Sequence, residues 1–193
     1  MNSSTQKMVR LAVLAALGVI LLSIIRFPII PSAPFLEYEP ADVPILMAAF
    51  LYGPVSGFFV AVVVAFLQAV TVSSASGWVG FIMHVISSGT LAIVAGLVYK
   101  HHRTYAGGIL GLVLGVIAMT IVMIPANLFF TVHFWGIPSD VVRGMIVPSI
   151  IPFNLLKGGL NGVLTVLIYK PFVSFISNEN PGVGLARNSQ IKF

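Results

Sequence analysis

The 193-residue chain has no cysteine and few charges, ten basic and five acidic residues making up 8% of the total. Without cysteine, disulfides, thiolate catalysis and Cys-ligated metal sites are excluded. With so little charge the chain cannot cover a water-facing surface, for which a soluble domain uses roughly a quarter of its residues. HExxH, intramembrane carboxylate pairs and Ser–His pairs on one face are all missing. A GxxxxGK(S/T) phosphate loop is also missing, so the chain cannot hydrolyse ATP itself. The pattern is that of a protein that is not an enzyme and carries no cofactor or metal. A proton- or sodium-coupled carrier would usually show an acid within the membrane. Asp42 at a helix start is the only candidate, and its simpler role is an N-cap.

What is present is apolar residues, 58% of the chain, with a mean hydropathy of +1.05. In lipid every backbone group must be paired internally, which leaves helices or a closed barrel. The long apolar runs lack period-2 alternation, which excludes the barrel. At roughly 20 residues per span the length admits about six or seven spans and no separate soluble domain. The net charge of +5 does not imply nucleic acid, because the basic residues stand singly at the ends of apolar segments, the membrane pattern.

An all-α polytopic bundle of six transmembrane helices follows. The first apolar run is Met8 to Ile25, then Arg26 and a Pro-punctuated loop through Pro40. The second runs from Asp42 to Leu51 and breaks at Tyr52-Gly53-Pro54, and the third from Val55 to Val72. The fourth covers Trp78 to Tyr99, and the fifth Gly107 to Phe130 with Pro125 as an internal kink. After a wetter stretch from His133 to Arg143, the sixth begins near Pro148 or Pro152 and ends at Lys170-Pro171. With the N-terminus in the cytoplasm, Lys7, Arg10, Lys100, Arg103, Lys170, Arg187 and Lys192 lie inside and only Arg26 and Arg143 outside. That bias places both termini in the cytoplasm. A cleaved signal peptide fits less well, since Arg26 and two prolines separate the first run from Ser32-Ala33 and the run is long enough to span.

The sharpest polar signal is Asn154, Lys157 and Asn161 in the sixth span, which share one helix face. A lysine in the membrane costs roughly 2.5–3.5 kcal/mol on insertion scales and usually faces a cavity or a partner. It can also snorkel to the interface. The two amides on the same stripe favour a ligand displaying carbonyl oxygens. Asn127, two residues after Pro125, lies at similar depth, where an interhelical hydrogen bond is an equal alternative. Small residues recur at four-residue spacing at Ala12/Ala16, Gly53/Gly57, Gly107/Gly111/Gly115 and Gly158/Gly162. These allow close helix packing; for Ala12 and Ala16, docking on another membrane subunit is a second option. The loop from Arg26 to Asp42, with Phe35, Leu36 and Tyr38, serves either as a lid over a cavity or as an interfacial loop. His84 lies alone in the fourth span, His133 near a helix end, and His101 and His102 in a basic loop.

Asp42-Val43-Pro44, Tyr52-Gly53-Pro54 and Pro152-Phe153-Asn154-Leu155-Leu156-Lys157-Gly158, set in six short spans, resemble the substrate-binding S component of energy-coupling factor (ECF) vitamin transporters, in particular the riboflavin-specific type. The resemblance covers about residues 7 to 176 of a single transmembrane domain, and the tail from Ser177 to Phe193 reads as a polar cytoplasmic end. It implies a six-helix bundle in a bacterial plasma membrane that captures riboflavin near the outer face. Uptake would depend on a transmembrane coupling subunit and two cytoplasmic ATPases. Asn127, Asn154 and Lys157 would hydrogen-bond the flavin ring. Ala12 and Ala16 would dock on the coupling subunit, and the loop from Glu37 to Asp42 would close over the ligand. The connection at Trp135-Gly136-Ile137-Pro138 is shorter than in some members, which bears on the sugar-chain end of the site. A cationic vitamin such as thiamin would call for a carboxylate, and the membrane interior holds a lysine and no buried acid. The alternatives are an S component for another vitamin, an intramembrane enzyme or channel around Lys157 and His84, and a structural membrane subunit.

Overall fold

A computed structural model describes residues 3–72 and 76–179, and the tail from 180 onward lies outside the described residues. The helices are α1 (Ser3–Ile24), α2 (Asp42–Tyr52), α3 (Pro54–Val70), α4 (Gly77–His101), α5 (Tyr105–His133), α6 (Ser139–Met145) and α7 (Ile151–Glu179). A π-helical turn, Ile146–Ile150, joins α6 to α7. The loop after α1 forms a small antiparallel pair, β1 (Phe27–Pro28) and β2 (Glu37–Tyr38), with Phe27 opposite Tyr38.

Six apolar helices occur where the sequence predicts spans, but among the described residues only four stretches are long and apolar enough to cross a membrane. These are α1, α4, α5 and the stretch Ser139–Tyr169. At about 1.5 Å per residue, the 11 residues of α2 reach only about half of a hydrocarbon core roughly 30 Å thick. Nine of those residues are buried, from Asp42 through Ala49 together with Leu51. A helix that is apolar on all sides belongs inside a bundle, and α2 is enclosed accordingly. One of its faces joins Leu14, Leu22, Val60 and Val64 in one core cluster. Leu46 joins Leu91, Val116 and Met119 in the other.

The connection from α2 to α3 is a single residue. Gly53 has φ +96°, a backbone region where only glycine is unstrained, and Pro54 opens α3 with a pre-set φ and no orphan N–H. Close approach explains most of the predicted glycine spacings. A Cβ on Gly57 would sit 2.5 Å from that of Ala49, and one on Gly111 would sit 2.8 Å from the carbonyl oxygen of Ala95. Helices α2 and α3, and likewise α4 and α5, therefore pack backbone to backbone, as membrane helices do where the solvent is as apolar as the core. The outward faces carry large apolar side chains, such as Val55, Phe59, Phe66 and Val70 along α3.

Two boundaries differ from the sequence expectation. The wet stretch after α5 contains α6, which buries Val142. Helix α7 continues through Pro171 to Glu179 instead of stopping at Lys170-Pro171; proline costs one intrahelical hydrogen bond there and does not end the helix. Helix α5 likewise runs unbroken past Pro125.

The backbone contact at Gly57 makes a specific demand. Gly57→Ala forces apart α2 and α3 and is expected to cost about 1–3 kcal/mol, read as a lowered melting temperature in detergent. Gly159, on α7, has nothing within 4 Å of an added Cβ, and Gly159→Ala is expected to leave the melting temperature unchanged or slightly higher.

Candidate functional site

The buried polar side chains collect at the end of the bundle where α4 and α7 begin and α5 ends. A cavity of about 140 Å³ lies there, lined among others by Phe35, Glu39, His84, Asn127, Asn154 and Lys157. The three side chains singled out from the sequence therefore meet at one place. Asn127 is 1% exposed, Asn154 2% and Lys157 7%. Each asparagine amide donates one bond to its own helix, Asn127 to the Met123 carbonyl and Asn154 to the Ile150 carbonyl, both at 2.8 Å. Among the described residues neither makes an interhelical bond, and the rest of each amide's capacity is left over at the cavity wall.

Lys157 does not snorkel. Its Nζ donates to Glu39 Oε1 at 3.1 Å, while His84 Nδ1 lies 3.2 Å from the same oxygen. Gln68 Nε2 donates to Glu39 Oε2 at 2.8 Å. A buried carboxylate is costly unless it is charge-paired and hydrogen-bonded, and Glu39 has both from three separate helices. Burial pushes its pKa up, but the Lys157 ammonium and His84 outweigh burial and hold the carboxyl well below the usual range.

The expectation that the interior holds no acid is corrected here: Glu39 is 3% exposed and Asp42 fully buried. The loop turns inward and carries both acids into the bundle. Nor is Asp42 an N-cap, since Ala41 takes that position and makes no side-chain cap. Asp42 instead accepts hydrogen bonds from Ser88 Oγ and from Asn161 Nδ2 at 2.9 Å. Asn161 also donates to the Glu39 carbonyl at 3.1 Å and accepts from Tyr38 Oη at 3.0 Å. Burial and the nearby Asp42 raise the Tyr38 pKa, so its hydroxyl stays protonated as the donor. Asn161 thus shares the helix face of Asn154 and Lys157 but anchors the loop, and it does not line the cavity.

The loop after α1 supplies part of the cavity wall. Phe35, Leu36, Glu37 and Glu39 line the space beneath it. The Phe35 ring meets Trp135 edge-on at 6.4 Å, and Arg26 ion-pairs with Glu37 while also donating to the Val72 carbonyl at 3.1 Å. Trp135 belongs to the short connection noted in the sequence, which turns at Gly136 and runs into α6. Sequence reasoning missed Glu39 and His84. His84 had looked solitary because its partner is 45 residues away along the chain; its other nitrogen, Nε2, is buried with no hydrogen-bond partner among the described residues. Ala12 and Ala16 are elsewhere, on the exposed face of α1 opposite Leu14, Ala15 and Leu22.

Residues 6–169 match the family model of the ECF transporter, substrate-specific component. The chain belongs to that family. It is 30% identical over 177 residues to the riboflavin transporter RibU of Staphylococcus aureus, covering 89% of this chain and 92% of that one. It is also 27% identical over 180 residues to the riboflavin transporter FmnP of Bacillus subtilis, covering 87% and 94%. A solved structure described as the S component of a bacterial ECF transporter superposes with a TM-score of 0.78 at 30% identity, over 90% of this chain and 99% of the other. This chain is therefore an S component, a multi-pass transport protein of a bacterial membrane.

The depressed Glu39 pKa fixes a pH dependence for this S component. An acid whose folded pKa lies below its unfolded value contributes stability that is complete above the unfolded pKa and is lost as pH falls toward the folded one. The stability difference between the parent and Glu39→Gln is expected to be constant above about pH 5 and to shrink progressively below the ordinary value of 4.5. Chemical denaturation of both proteins in detergent between pH 7 and pH 3 measures it.

Proposed function

We propose that this S component binds riboflavin at the cavity beneath the α1–α2 loop and serves its uptake. In this proposal all six apolar helices form the membrane bundle. The cavity faces the outside, and both termini are cytoplasmic, as the Lys/Arg asymmetry favours. Family membership implies a transmembrane coupling subunit and ATPase subunits that supply the energy, and the absence of a phosphate loop from this chain fits that division. Ala12 and Ala16, small and exposed on α1, form the face proposed to meet the coupling subunit. The chain itself catalyses nothing.

The observation that carries the ligand assignment is the convergence of Asn127, Asn154 and Lys157, from α5 and α7, on one cavity. A flavin presents a flat edge of alternating carbonyl, N–H and carbonyl groups. Two amides supply both donors and acceptors for such an edge, and an ammonium supplies a further donor. The relatives named as riboflavin transporters support the same ligand. At about 140 Å³ the cavity is smaller than the roughly 300–1,000 Å³ of typical small-molecule sites. Binding therefore requires the loop to move outward and Glu39 to yield space, and the loop from Glu37 to Asp42 is the proposed closing element.

A second reading rests on Glu39. Its carboxylate restores the possibility of a cationic vitamin that a site without acids would disfavour. The competing attraction of Lys157 and His84 for the same carboxylate weighs against it, because little net negative charge remains to be offered.

Protein purified in detergent from a flavin-containing host is expected to be yellow, and the stripped protein to quench riboflavin fluorescence in a way that excess thiamin does not reverse. A colourless preparation that leaves added riboflavin fluorescence unquenched overturns the assignment. Asn127→Ala and Asn154→Ala are each expected to weaken binding about 5- to 150-fold, the effect of about 1–3 kcal/mol for a lost buried hydrogen bond. Lys157→Ala is less clean, because it also strands the Glu39 charge; Lys157→Met with Glu39→Gln removes both charges and is expected to keep the fold while losing at least as much affinity. On α1, Ala12→Trp and Ala16→Trp are expected to abolish uptake into cells and leave riboflavin quenching intact. Unimpaired uptake by both variants removes that face as the docking surface.

A further inference from the structure

A second cavity, of about 460 Å³, opens at the opposite end of the bundle. Its walls come from the start of α1, the α2–α3 turn, the end of α4, the α4–α5 connection and Tyr169 of α7, and none of the side chains around Glu39 takes part. Three cations stand around it: Lys7 from α1, Lys100 from α4 and Arg103 from the connection. All three are exposed. Among the described residues the ion pairs are Arg26–Glu37, His84–Glu39 and Lys157–Glu39, and none of them includes these three cations. Four of the chain's five acids, Glu37, Glu39, Asp42 and Asp140, belong to the far end of the bundle. The hydroxyl of Tyr52, also a lining residue, is buried with no hydrogen-bond partner among the described residues.

We propose that this cavity binds the phosphate-bearing headgroup of an anionic phospholipid. Three exposed cations from different segments, together with a buried hydroxyl that has no hydrogen-bond partner among the described residues, form a donor set that a phosphodiester would complete. Basic pockets between membrane helices are suited to acidic headgroups. The remaining walls favour a lipid over a free ion. Tyr99 and Tyr169 stand hydroxyl to hydroxyl at 3.2 Å and the Tyr99 ring packs on Phe50 at 4.8 Å. Tyrosines of this kind sit at headgroup depth in membranes. Val55, a lining residue 65% exposed, continues into the outward apolar stripe of α3 with Phe59. An acyl chain can therefore leave the cavity along a surface that already faces lipid.

The test uses the full chain in detergent micelles doped with phosphatidylglycerol or phosphatidylcholine, with lipid retention read by native mass spectrometry and stability by thermal unfolding. Phosphatidylglycerol is expected to remain bound at one molecule per chain and to raise the melting temperature, and phosphatidylcholine to do neither. Lys100→Gln and Arg103→Gln are each expected to weaken phosphatidylglycerol retention about fivefold while leaving the melting temperature in phosphatidylcholine unchanged. Tyr52→Phe, which keeps all three charges, is expected to weaken retention as well. Equal retention of the two lipids, or a phosphatidylglycerol preference that survives in the Lys100→Gln/Arg103→Gln double variant, overturns the proposal. So does a full melting shift from inorganic phosphate alone, which assigns the cavity to a free anion.

Discussion

The arrangement around the site depends on one buried carboxylate. Glu39 reaches into the bundle from a loop and finds Lys157 on α7, His84 on α4 and Gln68 on α3. An isolated ammonium at the depth of Lys157, or an isolated carboxylate beside it, would be strongly disfavoured. Together they form a pair whose remaining hydrogen-bonding capacity is used by neighbours. That pairing joins the loop to three helices, and the bonds from Asn161 and Ser88 to Asp42 continue it into the first turn of α2. Loop position, cavity lining and the gathering of polar side chains at one end of the bundle are therefore linked consequences of placing one acid inside the bundle.

Helix α2 supplies the second constraint. It is too short to cross a bilayer and too apolar to lie in water, so its stable location is inside the bundle, held by backbone-close contact at Gly57 and by core clusters on both faces. The main chain enters α2 directly from the Glu39 loop, with only Pro40 and Ala41 between. Fixing α2 in the core thus sets the height at which Glu39 can meet Lys157. Packing of small residues on one side and charge pairing on the other converge on the same loop conformation.

Much of this fold is legible in the sequence because bilayer physics is simple: apolar length, helix-ending Gly-Pro and charge at segment ends locate α1 to α5 within a few residues. The same logic reads α2 as a span of its own although its 11 residues are enclosed in the bundle, since hydropathy measures burial and cannot tell burial in protein from burial in lipid. Asn154 and Lys157 are visible because a charge in an apolar run has no cheap explanation, and helical spacing puts the neighbouring amide on the same face. Spacing also groups Asn161 with them, and only the tertiary placement of Tyr38 and Asp42 turns it into an anchor. Glu39 and His84 are invisible for the complementary reason. An acid in a proline-rich loop and a single histidine in a helix are ordinary by local standards, and their meaning lies in a contact 45 residues apart.

The closed loop has a consequence for any occupant of the cavity. A ligand that engages Lys157 either shares the ammonium with Glu39 or takes it over, and taking it over cannot leave the carboxylate buried and alone. Either the ligand accepts from Lys157 while Glu39 keeps His84 and Gln68, or the loop swings out and rehydrates the carboxylate. The first route favours a neutral ligand with strong acceptors, because it adds no further negative charge beside Glu39. The second makes affinity depend on the population of the open loop, which lowers apparent binding by the open fraction. By either route Glu39 would act on the affinity of an occupant without needing to touch it, through the stability of the state that the occupant has to replace.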